Sequence, residues 1–317
     1  MRHDLDKARA LAVAGQHDEA EHVLRSLEPS PRVLFNLGWH LCRRGHWRAG
    51  LELMHYGGRE AGVFGSPPIA GPLWNFENLE GKTVLLRGEG GFGDEICNVR
   101  WAEPLSALGA RVIATCQANL LPVLATAPGV ALACAHGGAG IPTYDYWLPA
   151  MSGPYYFDVA RGAYLMPPFE RRAKSERFTV GVCWAGNPEF EHDQRRRFPI
   201  EPLLALREHV RLVSFQRDHA LIDLPAGVDT ACMTTWAETA GELVGMDLVI
   251  SSCTAVAHLA AALGIPTWIL IPRCPYYPWA VPGTRSVWYD SVRLYRQTED
   301  WPFAQLKADL EALTHAA

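Results

Sequence analysis

Two stretches of this chain carry residue types that bind and move charge. The first is Ser251-Ser252-Cys253-Thr254, set between the apolar run 247–250 and the Ala/Leu-rich run 255–263. Hydroxyls and backbone N–H groups placed where a helix leaves its first donors unpaired are suited to receive an anion. Plain N-capping is the competing use of the same residues. The second stretch is Gly88-x-Gly90-x-x-Gly93 followed by Asp94, with Gly91 adding a fourth glycine. Backbone N–H groups in such a turn can approach phosphate or sugar oxygens closely. Asp94, at the start of the next helix, could take a proton from a hydroxyl, and the helix end favours its ionised form. A capping role for Asp94 is the alternative.

The spacing Gly88-x-Gly90-x-x-Gly93 also matches the dinucleotide fingerprint, which needs an acidic residue after the next strand to hold a ribose. That strand, 111–116, is followed by Gln117. The nicotinamide or flavin reading fails there.

These groups must be held by alternating strands and helices. Residues 247–250 read as a strand and 255–263 as a helix stopped by Gly264 and Pro266, with 267–271 a second buried strand. Upstream, 82–86 reads as a strand and 95–108 as a helix ended by Gly109. Then come a strand at 111–116, a helix after Gln117, and strand-like runs at 131–134 and 145–148. Pro167-Pro168 and the charged run 170–177 read as a linker. A second alternation opens at 178–184 and continues through 210–215. Residues 301–313 read as an amphipathic terminal helix. Two βαβ-type halves of this kind place ligands beyond the carboxyl ends of their strands, with a cleft between the halves.

Residues 4–28 and 33–56 read as two related helical units. Gly15 and Gly45 occupy equivalent places in them, between paired amphipathic helices, and small residues nearby permit close packing. The pattern resembles tetratricopeptide repeats at an interval of thirty residues. Two such repeats do not form a stable solenoid alone, so the segment must lean on the rest of the chain. Residues 56–72, rich in Gly and Pro, read as a connector.

Length and composition fit about two soluble domains, with 317 residues, 49% hydrophobic and 20% charged. With a net charge of −5, a basic face for nucleic acid is not expected. No run reaches the length of a membrane span, and the opening MRHDLDKARA lacks an apolar leader core, so a cytoplasmic location is expected. The eight cysteines are scattered without a C-x-x-C and read as reduced, mostly buried thiols. The twelve histidines form no metal-ligand spacing, so no metal and no cofactor is expected.

Several segments fall in one order: 72–96, 180–199, 210–216, 247–268 and 288–297. Together with the helical repeats they resemble bacterial tetratricopeptide-repeat proteins carrying a glycosyltransferase domain. Those are related to the heptosyltransferases and more distantly to O-GlcNAc transferase. The resemblance implies an α/β chain of GT-B fold: two Rossmann-like domains facing a cleft, with a short all-α extension. The divisions expected are 1–60 for the repeats, 72–168 for the acceptor domain, 178–300 for the nucleotide-sugar domain and 301–317 for the last helix.

The same resemblance implies site residues. Gly93-Asp94 matches the family's Gly-Asp, in which the Asp is the base. Asn187, Asp193 and Arg196 match a segment that contributes a cation to the diphosphate. Ser252, Thr254 and His258 match the helix-start segment, and Cys253 stands where many relatives carry Asp, so the donor's identity does not transfer. Gln216, closing the 210–216 segment, and Asn187 are candidates to contact base or sugar. Tyr276 and Tyr277 could stack on a nucleobase or pack as a wall. The function implied is metal-independent, inverting transfer of a sugar from a nucleoside-diphosphate sugar to an acceptor hydroxyl. The acceptor, protein or glycan, would be recruited by the repeats. The alternative is a non-catalytic scaffold that only binds a nucleotide sugar.

Overall fold

Four helices lead the chain: α1 (Arg2–Val13), α2 (His17–Ser26), α3 (Pro31–Arg43) and α4 (Trp47–Glu60). They belong to a computed structural model that describes residues 2–60, 70–137, 140–169, 173, 175–189, 193–217 and 226–315. Gly15 and Gly45 end α1 and α3 at φ of 82° and 85°, a left-handed turn that glycine makes without a Cβ clash. Both ends close alike, with Gln16 N–H to Leu11 O at 2.9 Å and His46 N–H to Leu41 O at 3.0 Å. Ala8, Leu24, Leu37 and Leu41 share the core of this bundle. The helix α4 runs five residues, 56–60, into the expected connector, because Gly57 and Gly58 cost a helix about 1 kcal/mol each without forbidding it. Residues 61–69 of that connector lie outside the described residues.

The first sheet is all parallel, in the order β3-β2-β1-β4: β1 (Thr83–Arg87), β2 (Arg111–Cys116), β3 (Val130–Ala135) and β4 (Tyr146–Pro149). Between β1 and β2 lie α5 (Phe92–Asn98) and α6 (Ala102–Ala107), between β2 and β3 lies α7 (Leu121–Leu124), and α8 (Gly153–Tyr156) follows β4. One continuous helix was expected over 95–108. Instead α5 starts at Phe92 and gives way to a tighter turn at Val99–Trp101 before α6. Pro104 accounts for the break, since it has no N–H and its ring presses on the carbonyl of Arg100 one turn earlier.

The second sheet has six parallel strands in the order β10-β9-β8-β5-β6-β7. They are β5 (Thr179–Cys183), β6 (Arg211–Ser214), β7 (Val228–Thr230), β8 (Leu248–Ser252), β9 (Thr267–Ile271) and β10 (Val292–Arg296). Its helices are α9 (Asp193–Arg196), α10 (Glu201–Leu204), α11 (Trp236–Leu243), α12 (Ala255–Ala262) and α13 (Phe303–His315). Every residue of β5, β8 and β9 is buried, as parallel strands covered on both faces must be. Leu306 and Leu310 of α13 enter the same core as Val180, Trp184 and Phe198. Of the charged linker, residues 170–172 and 174 lie outside the described residues. Among the described residues no helix is long and apolar enough to cross a membrane.

Two compact units result. One comprises Gly71–Met151, Ala160–Ile271 and Thr284–Ala317, and so holds both sheets; the other comprises Met1–Ala70, Ser152–Val159 and Pro272–Gly283. In the helical unit the Trp39 ring lies 5.7 Å from Tyr276 and 5.6 Å from Tyr277, and Arg43 Nη2 reaches Cys274 Sγ at 2.7 Å. Arg48 sits over the Tyr155 ring at 5.7 Å. The four helices therefore lean on two segments from later in the chain.

The tightest packing in that unit is the crossing of α3 and α4. A Cβ on Gly38 would stand 2.4 Å from the Gly50 carbonyl oxygen, and one on Gly50 would stand 2.6 Å from that of Gly38. No side chain can yield there, because both obstacles are backbone. Gly38→Ala should destabilise the helical unit by ~1–3 kcal/mol, as overpacking does, read as a lower urea midpoint by circular dichroism. An unchanged midpoint would show that the helices cross more loosely.

Candidate active site

The glycine turn after β1 is shaped by close backbone approaches. Gly88 N–H donates to the carbonyl and hydroxyl of Thr115 at 3.0 and 3.2 Å, and a Cβ on Gly88 would fall 2.3 Å from that carbonyl. Gly90 takes φ of 78° and lies against the Asp94 carboxylate, which a Cβ there would meet at 2.5 Å. Asp94 is in the first turn of α5, and its Oδ2 accepts the Gly91 N–H at 2.9 Å. The capping use weighed for Asp94 is thus realised.

Gly93 has a different reason to lack a side chain. A Cβ would come 3.1 Å from His258 Cδ2 and 3.3 Å from Ala255 Cα. The start of α5 therefore sits directly on the start of α12, and Phe92 meets Trp236 at 5.1 Å beside them. Asp94 and the Ser251–Thr254 turn, read from sequence as separate elements, come together here.

At that turn β8 runs on through Ser252, and Thr254 is the N-cap residue of α12 by conformation. Its hydroxyl does not cap the helix; it lies 3.1 Å from Ser251 Oγ and 3.7 Å from Cys183 Sγ. Ser252 Oγ is buried with no hydrogen-bond partner among the described residues. Such a hydroxyl is costly unless something pairs with it. Burial pushes the Cys253 thiol up to about 11, so Cys253 is a neutral side chain here and not a nucleophile.

Arg196 lies where it can serve this turn. Its Nη1 donates to the Cys253 carbonyl at 2.7 Å and its Nε to Asp193 Oδ1 at 2.9 Å. Asp193 is buried, takes the Gly186 N–H on the same oxygen at 2.8 Å, and meets Arg197 with the other at 3.2 Å. Gly186 has no room for a side chain, because Nη2 of Arg196 lies only 2.0 Å from where a Cβ would be. Asn187 closes a local turn by accepting the Glu189 N–H at 3.0 Å.

Two expected contacts have other work. Both donors and both acceptor positions of the Gln216 amide are engaged by the backbone of Trp184, Ala185 and Arg217. It cross-links the ends of β5 and β6 and has no valence left for a base or sugar. Tyr276 and Tyr277 belong to the helical unit and pack on Trp39, the wall reading of those rings.

His258 was expected among diphosphate ligands. It is buried on α12, its Nδ1 is 2.9 Å from Tyr289 Oη, and burial, helped by the nearby Arg100 charge, lowers its pKa to about 3. The imidazole is neutral at ordinary pH and can offer a hydrogen bond but not a charge.

Sequence reasoning missed several groups. Arg100 is buried between the Tyr164 and Tyr289 rings at 4.5 Å from each, and donates to the carbonyls of Trp288 and Ala160 at 2.7 and 3.0 Å. Arg296 ends β10, and its charge bears on the Cys253 thiol together with that of Arg196. An arginine closing the strand was the available signal. Glu95 is buried and bonded to His136, a pair forty-one positions apart with no local pattern to betray it.

No family model matches the chain, and no curated protein matches it. Solved structures do. An E. coli ADP-heptose lipopolysaccharide heptosyltransferase II aligns at 16% identity and a TM-score of 0.52, over 74% of this chain and 99% of that one. A family 9 glycosyltransferase from Veillonella parvula aligns at 10% identity and 0.55, over 76% and 99%. A dodecameric, iron-containing glycosyltransferase from enterotoxigenic E. coli aligns at 15% identity and 0.52, over 71% and 65%. At these identities the likeness is one of fold: an α/β chain with parallel sheets, as in the heptosyltransferases.

The neutral His258 makes a pH prediction. Its folded pKa lies below the unfolded value of about 6.5, so the unfolded chain binds the proton first and stability is lost as pH falls through that window. Between about pH 7 and about pH 5 this one group should remove about 2 kcal/mol. The unfolding free energy of His258→Leu, followed by urea titration, should therefore gain that much relative to wild type over the same interval. A constant difference would mean that His258 is charged or exposed.

Proposed function

We propose that this protein is a glycosyltransferase that moves a sugar from a nucleoside-diphosphate sugar to an acceptor hydroxyl. The observation that carries it is the meeting of the α5 and α12 starts, with Asp94 on one side and the Ser252–Thr254 turn and Arg196 on the other. The fold likeness to heptosyltransferases and a family 9 glycosyltransferase supports it.

In this mechanism the leaving diphosphate lies at the α12 start. The orphaned Ser252 hydroxyl, the first N–H groups of the helix, Arg196 and Arg296 supply donors and positive charge. Guanidinium groups and helix N–H groups take the part that a divalent ion plays in other transferases, so transfer is metal-independent and needs no cofactor. Asp94 accepts the proton of the acceptor hydroxyl as its oxygen attacks the anomeric carbon and the bond to the diphosphate breaks. Attack opposite the leaving group inverts the centre. Base, sugar type (hexosyl or heptosyl), a cytoplasmic location and acceptor recruitment by the tetratricopeptide-like helices belong to the same proposal. One observation favours the alternative, a protein that binds a nucleotide sugar without turning it over: Asp94 is engaged as a helix cap.

Thermal shifts with UDP-, GDP-, ADP- and dTDP-sugars test the binding step, since a ligand at about a hundred times its Kd adds ~2.7 kcal/mol. Ser252→Ala removes a hydroxyl with no hydrogen-bond partner among the described residues, so the free protein should melt at the same temperature or slightly higher. The shift given by the best nucleotide sugar should shrink. An undiminished shift would place the phosphates elsewhere. Asp94→Asn keeps a side-chain oxygen for Gly91 N–H and should keep the donor shift, while transfer falls ~10²–10⁴-fold. Wild-type binding with no turnover on any acceptor would favour the scaffold.

A further inference from the structure

We infer that this chain pairs with a second copy of itself along the outer edge of β3, the two strands running antiparallel about a two-fold axis at Cys134. An outermost strand leaves a row of N–H and C=O groups without partners, and folded proteins cover or blunt such rows. Three of the four sheet edges here are managed in that way. Residues 72–74 run along β4, with Trp74 N–H donating to the Trp147 carbonyl at 2.9 Å and Trp147 N–H to that of Pro72 at 3.1 Å. Residues 284–286 do the same for β10, where Leu294 N–H donates to the Thr284 carbonyl at 2.7 Å and Arg285 pairs with Arg293. The edge strand β7 is three residues long and carries Asp229, ion-paired with Arg211.

The fourth edge is β3. It has no charged residue and no proline, and among the described residues no segment bonds to its outer side. Its ladder to β2 is irregular at Ala131: Val112 faces Val130 but Ile113 faces Leu132, so Ala131 bulges. From Leu132 on the pairing is regular. His136 N–H donates to the Cys116 carbonyl at 2.9 Å. By alternation Leu132 and Cys134 also bond toward β2, and Ala133 and Ala135 turn their N–H and C=O groups outward.

The surroundings are uncharged as well. Residues 112–144 contain no Asp, Glu, Lys or Arg, in a chain that is 20% charged. Several are nonetheless exposed, among them Asn119, Pro122, Ala125, Pro128 and Ala131. Depletion of charge is a compositional signal of an interface core. A second copy placed here sets no like charge against like, whereas a charged partner finds nothing to pair with. A foreign extended peptide is selected through pockets for alternate side chains, and Ala133 and Ala135 offer only methyl groups. The same geometry fixes the register. An axis at Ala133 would set the bulged Ala131 opposite Ala135, and one at Ala135 would need Gly137, which leaves extended backbone at φ of 64°. An axis at Cys134 needs neither: Ala133 of each copy exchanges both hydrogen bonds with Ala135 of the other. Each Cys134 then faces its counterpart at a non-hydrogen-bonded position, with Cα atoms about 4.5 Å apart, within disulfide reach.

The test has two arms on the full chain. Sedimentation equilibrium over a dilution series should give twice the chain mass at the concentrated end. Ala133→Pro and Ala135→Pro each take away an outward N–H and leave the ladder to β2, as prolines on edge strands do. Circular dichroism should therefore be unchanged, while the Kd of the dimer rises roughly tenfold or more. In the second arm diamide takes two hydrogens from a pair of thiols and leaves one S–S bond. Mass spectrometry of the digest should find Cys134 linked to Cys134, and Cys134→Ser should dimerise like wild type without that link. A chain that stays monomeric at every concentration overturns the inference. So does an unchanged Kd in both folded proline variants, or a covalent link through other cysteines and none through Cys134. The cross-link decides it even if neither proline variant folds.

Discussion

A buried guanidinium holds this structure together at its functional end. Arg100 lies just after the glycine-turn helix α5, and no carboxylate pairs with it among the described residues. Its charge is met by the carbonyls of Cys97, Ala160 and Trp288 and by the faces of two tyrosines. An unsatisfied buried charge would cost several kcal/mol, so this set of acceptors has to stay assembled. Two of them, Ala160 and Trp288, come from distant segments of the same unit. Tyr164 and Tyr289, which flank the cation, are 3.2 Å apart at their oxygens, and Tyr289 passes the contact on to His258. The start of α12 is thereby tied to the helix that carries Asp94.

That tie explains why small residues gather at the meeting point. With Gly93 seated on Ala255 and His258, neither helix start can hold a larger group without moving the other. The two sides differ in chemistry. Around the glycine turn are Glu89, Asp94, Glu95 and His136, with Arg87 beside them; around the Ser252–Thr254 turn are Arg196 and Arg296. The proposed reaction, with a donor that leaves as an anion and an acceptor that gives up a proton, calls for this division, with positive charge under one and proton acceptors beside the other. The neutral His258 between them adds no charge to either side.

Much of this was legible in the chain. Strands 111–116 and 267–271 fall where the apolar runs place them, because parallel strands buried on both faces have no other pattern to follow. The glycine turn and the Ser251–Thr254 turn were visible because their geometry demands particular residue types. The 95–108 helix was misjudged because Pro104 acts on Arg100, one turn back, and the apolar spacing conceals it. Gln216 looked like a ligand contact because a polar residue ending a strand is ambiguous until its four hydrogen bonds are seen. Arg100 and the Glu95–His136 pair depend on partners up to 188 positions away, which no local spacing can encode.

The proposed donor site is the junction of α5 and α12, and hydrogen exchange reads that junction directly. Exchange should be followed by mass spectrometry with and without the nucleotide sugar that most raises the melting temperature. Peptides covering 88–98 and 247–258 should both gain protection, because one ligand fills the space that both helix starts border. Protection confined to other segments, or to one of these two alone, would contradict it.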